Sequence, residues 1–140
     1  PLAAATELLA APRVTPVPGA PAAICGVVNV RGTIVDVVRL STLLSLTPGR
    51  SRPSERRVVL CEVAGEVFGL EVETVRGIEP ILPDQISEPS EAAPAGVRDF
   101  LAGMARCGKE RRESVPVLDV TKIPDARQFS SVRGARPAAP

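Results

Sequence analysis

Residues 26–46 read Gly26-Val-Val-Asn-Val-Arg-Gly-Thr-Ile-Val-Asp-Val-Val-Arg-Leu-Ser-Thr-Leu-Leu-Ser-Leu46, and this stretch decides the fold class. Two runs rich in β-branched residues, 25–30 and 33–40, flank the dipeptide Arg31-Gly32. This pattern predicts an antiparallel hairpin with its turn at the glycine. Because apolar residues fill both runs, we expect part of the hairpin to be buried on both faces.

A second unit of the same kind follows along the chain. Residues 47–57 carry four arginines, which indicate a solvated loop or, alternatively, a contact for an anionic partner. Residues 58–75 predict another hairpin with its turn at Ala64-Gly65. Further on, residues 97–105 predict a strand or a helical turn, and residues 115–120 predict a last strand. Several short strands in two hairpins indicate an all-β domain of one or two small barrels.

The composition excludes most catalytic chemistry. The 140 residues contain no histidine, three phenylalanines, and 17 basic against 16 acidic side chains, for a net charge of +1. Without histidine there is no Ser-His-Asp or Cys-His pair and no zinc site with His ligands. The balanced charge and the few aromatic rings argue against nucleic-acid binding, and no apolar run is long enough to insert into a membrane. We therefore expect a binding protein that is not an enzyme and needs no cofactor and no metal.

The thiols and paired carboxylates are expected to be structural. Cys25, Cys61 and Cys107 lie far apart with no C-x-x-C pair, which predicts free thiols in a reducing cytoplasm. Along the predicted strand, Phe68, Leu70 and Val72 fall on one face, and Glu71 and Glu73 fall on the other. The two glutamates stand two residues apart, a spacing that also occurs in paired acid catalysts. We expect a solvated strand face that keeps both carboxylates ionised, because nothing in the sequence desolvates either of them.

Two further charges stand in apolar surroundings. Glu7 lies within an alanine- and leucine-rich segment, and Arg31 lies at the hairpin turn. If the first segment packs beside the first hairpin, the two side chains can form an ion pair at the edge of an apolar groove. The alternative is an arginine in a turn that simply faces solvent.

The same stretch resembles the signature of CheW-like domains, which runs approximately G-V-[IV]-N-L-R-G-x-[IV]-[IV]-P-V-[IV]-D-L-R-x-x-L-G-L. Blocks on either side resemble the family's other strands in the same order, so that the resemblance covers residues 1–123. These blocks are Ala5-Thr-Glu-Leu8, Val14-Thr-Pro-Val-Pro18, Arg57-Val-Val-Leu-Cys-Glu-Val63, Phe68-Gly-Leu-Glu-Val-Glu-Thr-Val75, Phe100-Leu-Ala-Gly-Met104 and Val117-Leu-Asp-Val-Thr-Lys-Ile123.

The resemblance implies one domain over residues 1–123, made of two small SH3-like barrels around a shared core. One barrel would span about 5–53 and contain the first hairpin, and the other would span about 54–123. Residues 2–11 would form a strand despite their local helix propensity, because tertiary context overrides propensity in short segments. The family's first strand is missing, which would open one barrel edge for self-association. Residues 124–140, rich in proline, alanine and arginine, are expected to be a disordered tail.

The resemblance also implies a function. CheW proteins are cytoplasmic, non-enzymatic adaptors that couple the tips of chemoreceptors to a CheA-type histidine kinase. Alternatives are a regulatory domain of a larger kinase or fused adaptor, and a divergent paralogue that binds only the receptor. The positions that match the receptor groove are Glu7, Arg31, Val58, Val72, Val75 and Ile78. The kinase-facing positions are Ile34, Val35, Asp36, Val37 and Arg39.

Four departures from the family pattern bear on kinase coupling. Asp36 stands where proline is usual, Arg39 replaces an aspartate, Ser41 replaces an arginine, and Ser45 replaces a glycine. The charge reversal at Arg39 predicts that a structural ion pair is broken or formed with a new partner. Receptor binding is therefore the firmer of the two expected interactions.

Overall fold

A computed structural model describes residues 4–124 of the chain, so that the predicted tail, apart from residue 124, lies outside the described residues. The helices and strands are short, and the predicted all-β class is confirmed. The strands are β1 (Ala5–Ala10), β2 (Ile24–Val30), β3 (Thr33–Arg39), β4 (Arg57–Val63), β5 (Glu66–Val72), β6 (Ile86–Ser87), β7 (Leu101–Cys107) and β8 (Glu113–Leu118). Two single-turn helices are α1 (Leu40–Leu43) and α2 (Ala95–Arg98).

The strands form two sheets. The first sheet has the order β1-β4-β5-β3-β2, and the second has the order β6-β7-β8. Neighbouring strands are antiparallel except β3 and β5, which run parallel from the Val37–Gly69 pair to the Arg39–Glu71 pair. After β1 the chain crosses to β2, where Thr15 and Val27 exchange two backbone hydrogen bonds of 2.8 Å. This bridge curls the first sheet back towards its own first strand.

Local sequence signals located both hairpins correctly. The turns fall at Arg31-Gly32 and at Ala64-Gly65, as predicted. The segment before residue 11 forms strand β1, which confirms the choice of tertiary context over local helix propensity. The segment 97–105, predicted as a strand or a helical turn, is divided between α2 and β7.

Strands from both sides of residue 53 share the first sheet. Because β4 and β5 pair with β1 and β3, the sheets themselves divide the chain between β5 and β6. The division into barrels of about 5–53 and 54–123 stays a prediction, and it does not coincide with the division into sheets.

Both faces of the first sheet are covered. On the concave face, Val28, Val35, Val37, Val58 and Leu60 form one core cluster. On the opposite face, Phe68, Val38 and Cys61 lie in a second cluster, against which Leu118 of β8 and Phe100, just before β7, pack. The strands therefore contribute alternate residues to two different cores, and the second core is shared by the two sheets.

Candidate functional site

The predicted ion pair between Glu7 and Arg31 is confirmed. Arg31 has a left-handed backbone (φ 49°) at the turn between β2 and β3, and its side chain reaches β1. Its Nη1 and Nη2 donate to the two carboxylate oxygens of Glu7 at 3.2 and 2.9 Å. These hydrogen bonds hold the pKa of Glu7 below its usual value. Both side chains are accessible to solvent, with 74% of Arg31 exposed.

The pair stands at the edge of a groove of about 600 Å³ between β1 and the first hairpin. Leu8 and Ile34 line this groove and are 49% and 54% exposed. A bidentate charge pair beside exposed apolar side chains is typical of a protein contact surface. The groove predicted beside this ion pair is therefore present, but it opens along the first sheet.

The other positions of the expected receptor groove lie elsewhere. Val58 is 1% exposed and belongs to the concave core, so that it contributes almost nothing to the outer surface. Val75 and Ile78 are 41% and 81% exposed, on the extended segment after β5. Val72 is half-buried at the end of β5 and pairs with Arg57 of β4. Arg57 lies three residues along β4 from Leu60, which pairs with Glu7. Val58 is therefore fully buried, whereas the other five positions are at least partly exposed.

The kinase-facing positions on β3 also separate into two groups. Val35, Asp36 and Val37 are buried, with 3%, 7% and 0% exposed, because the strand is covered on both faces. Their side chains offer no surface to a partner, which corrects that part of the expected site. Of the five expected positions, Ile34 and the partly exposed Arg39 are the ones that reach the surface.

A cluster around Glu71 was not predicted as a site. The carboxylate was expected on a solvated strand face, but Glu71 is 9% exposed. Arg39 Nε donates to its Oε1 at 2.7 Å, and Arg56 Nη1 donates to the same oxygen at 3.4 Å. The Cys25 thiol donates towards Oε2 at 3.6 Å. Arg39, which departs from the family pattern, therefore forms an ion pair with Glu71.

The position of Glu71 follows from the register of β5. Gly69, two residues earlier on the same face, is so close to β4 that an added Cβ would lie 2.6 Å from Val58 Cγ1. Glu71 therefore points towards the same concave face, at the end where the sheet meets the arginine-rich loop. The predicted alternation along β5 was correct. The predicted solvation was wrong, because other strands cover that face.

The three cysteines are free thiols, as expected. Burial, with a further contribution from the Glu71 charge, raises the pKa of Cys25 to about 12. Burial raises the pKa of Cys61 to about 11. The hydrogen bond to Glu71 raises the pKa of Arg39. Neither buried thiol has the lowered pKa that a nucleophile needs.

Residues 4–124 contain neither a group of metal ligands nor a membrane-spanning helix. In this part of the chain, no three acidic, cysteine or histidine side chains are grouped as metal ligands would be. Among the same residues, none of the helices has the length and apolar character that crossing a bilayer requires.

Comparison with known proteins assigns the family. The two-sheet β fold, the hairpin with its turn arginine and the ordered strand blocks are those of a CheW-like domain. Residues 1–128 match the family model described as CheW-like domain, and the chain belongs to this family. The scaffolding protein TtCheW of Thermoanaerobacter tengcongensis has the same fold, with a TM-score of 0.76 at 21% identity over 91% of this chain and 84% of that chain.

Curated relatives are similar in sequence. The chain is 32% identical to the chemotaxis protein CheW of Rhizobium meliloti over 91 residues, which are 64% of this chain and 57% of that protein. It is 32% identical to protein PilI of Pseudomonas aeruginosa over 106 residues, 74% of this chain and 58% of that protein. The chain therefore spans less than three fifths of the length of these two relatives.

Proposed function

We propose that this chain is a non-enzymatic scaffold of a chemosensory pathway, which couples a chemoreceptor tip to a CheA-type histidine kinase in the cytoplasm. The observation that carries the proposal is the match to the CheW-like family over residues 1–128. The relatives named CheW and the solved scaffolding protein point to the same role. The missing catalytic residue types fit a protein that acts by binding.

The receptor contact in this proposal uses the surface beside the Glu7–Arg31 pair. A helical hairpin, which is the expected form of a receptor tip, would lay its apolar face against exposed apolar side chains. Leu8 and Ile34 supply such side chains at the groove, and Val75 and Ile78 supply others after β5. Arg31 would anchor the contact through its guanidinium group, whose side chain is 74% exposed.

The kinase contact would use the exposed end of the first hairpin. Only Ile34 and Arg39 of the five expected positions reach the surface of the described residues. Self-association is a further part of the proposal. It would use the outer edge of β1, which pairs with β4 on its other side.

A pull-down with separate receptor-tip and kinase-regulatory-domain baits tests the proposal. We expect the wild-type protein to retain both baits, Arg31→Ala to lose most of the receptor but keep the kinase, and Ile34→Asp to lose both, because Ile34 belongs to both proposed contacts. Arg106→Ala is a matched control, because Arg106 is exposed on β7 of the second sheet, which contributes no residue to the groove beside the Glu7–Arg31 pair.

Each outcome has a definite meaning. A wild-type protein that retains neither bait contradicts the coupling role. Retention of the receptor without the kinase would favour the divergent-paralogue alternative. A loss with Arg106→Ala equal to that with Arg31→Ala would show that the binding is not specific to the proposed surface.

A further inference from the structure

The cluster around Glu71 contains more positive than negative charge. Arg39 and Arg56 both donate to a single carboxylate oxygen, so that two cations share one anion. The side chains of Arg39 and Arg56 are 35% and 29% exposed, and that of Glu71 is 10% exposed. In a partly buried setting this excess charge is screened less than it would be at an open surface.

The hydrogen-bonding capacity of the two arginines is only partly used. A guanidinium group has five N–H donors. Within residues 4–124, Arg39 uses its Nε and Arg56 uses one Nη1 contact, the latter at the long distance of 3.4 Å. The two Nη groups of Arg39 have no acceptor among these residues. Guanidinium donors of this kind match the geometry of a carboxylate.

A cavity of about 240 Å³ opens directly on this cluster. Arg39, Arg56 and Glu71 line one side, and much of the remaining wall is apolar, including Pro12 and Pro53. The volume lies below the ~300–1,000 Å³ of sites for drug-sized ligands and cofactors. The cavity therefore fits a single side chain or a very small molecule.

A neighbouring cavity on the other side of the cluster is different. Its lining also includes Arg39, Arg56 and Glu71, but it adds a second acidic residue, Glu73, which accepts a hydrogen bond from the Gly49 backbone. The charges there are balanced, two basic against two acidic. The cavity of about 240 Å³ that includes Pro12 and Pro53, here called the proline-walled cavity, keeps the excess positive charge. It is therefore the place where an anion would bind.

We propose that the proline-walled cavity binds a carboxylate group, carried by an acidic side chain of a partner protein, against Arg39 and Arg56. The aliphatic stem of that side chain would contact the apolar wall, and its carboxylate would take the unused guanidinium donors. The inference does not depend on the receptor and kinase coupling proposed above, because it requires only an acidic partner segment.

NMR titration of the full chain tests this site with defined probes. Acetate and a hexaglutamate peptide are added at constant ionic strength, with inorganic phosphate as the competing anion chemistry. We expect both carboxylate probes to give saturable amide shifts concentrated at cavity residues such as Cys25 and Val58. The peptide should bind more tightly than acetate, because it also offers apolar stems.

Three substitutions have different expected signs. Arg39→Gln should weaken acetate binding about fivefold or more, because the variant loses a charge-assisted hydrogen bond at a partly exposed site. Glu71→Gln should strengthen it by about the same factor, because the competing internal negative charge is removed. Arg50→Gln is the matched control, because Arg50 is an exposed arginine in the same loop as Arg56 but does not line the cavity. It should change the affinity less than about twofold.

Circular dichroism melting curves establish that each variant is folded. If Arg39→Gln does not fold, Arg56→Gln replaces it, since its longer hydrogen bond contributes less to the fold. If Arg50→Gln weakens acetate binding as much as Arg39→Gln or Arg56→Gln does, the site is overturned in favour of general attraction to a basic loop. Tighter binding of phosphate than of acetate would overturn the carboxylate assignment. Binding of acetate without the peptide would overturn the protein partner, and shifts that do not saturate would overturn the site itself.

Discussion

Replacing Glu71 by alanine removes the carboxylate that Arg39 and Arg56 share at the end of the first sheet. The Arg39 hydrogen bond, at 2.7 Å, is short and charge-assisted, and such bonds contribute about 1.5–3 kcal/mol. The Arg56 contact, at 3.4 Å and on a side chain that is 29% exposed, adds about 0.5 kcal/mol or less.

The variant also leaves Arg39 without its counter-charge. An uncompensated, fully buried charge costs about 3–5 kcal/mol. Arg39 is 35% exposed and can regain water, which reduces this cost. We therefore expect Glu71→Ala to lower the free energy of unfolding by about 2–3 kcal/mol, between these bounds.

Urea denaturation followed by circular dichroism measures this loss. With an m-value of about 1–3 kcal/mol/M, the midpoint should fall by about 0.7–3 M. Glu62→Ala is the control, because Glu62 is an exposed acidic residue on β4, next to β5. It should change the free energy of unfolding by less than about 0.5 kcal/mol.

A double variant distinguishes the ion pair from other effects of the substitution. If the pair itself is stabilising, exchanging its charges in Arg39→Glu/Glu71→Arg should recover part of the stability lost by each single variant. The reasoning is refuted if Glu71→Ala shifts the midpoint no more than Glu62→Ala does, or if the exchanged pair recovers nothing.

Three further measurements test other parts of the structure. Because burial raises the pKa of Cys25 to about 12, its alkylation at pH 8 should be at least about 100-fold slower in the folded protein than in urea. Mass spectrometry of the labelled peptide measures both rates, and a smaller difference would contradict the prediction. Gly26→Ala should destabilise the first sheet severely, since its Cβ would lie 2.3 Å from the Thr15 carbonyl oxygen at φ +151°; an unchanged melting temperature would contradict this. The lowered pKa of Glu7 means that its pair with Arg31 contributes stability above the ordinary pKa of 4.5 and loses it as the pH falls through the lower folded-state value. Arg31→Ala should therefore reduce the dependence of stability on pH in that acid range, and an unaltered pH profile would show that the pair makes no contribution.

Local patterns in the sequence were sufficient for the hairpins. Arg31-Gly32 and Ala64-Gly65 supply backbone conformations with positive φ between β-branched runs, and that information lies within a few residues. The alternation along β5 was equally visible, because side chains on a strand change face at every residue. The resemblance to CheW-like domains added the strand at residues 5–10, which local helix propensity opposed, whereas the pairing of Glu7 with Arg31 was suggested by two charges in apolar surroundings.

Tertiary structure decided which faces water reaches. Glu71 follows the expected alternation, but its carboxylate is enclosed by the side chains of Cys25, Arg39 and Arg56. Val35 and Val37, which the resemblance implied as contacts for a partner, are buried as well. The parallel pairing of β3 with β5 joins residues about 32 positions apart. A sequence pattern assigns a side chain to a face of its strand, whereas the burial of that face depends on distant segments that pack against it.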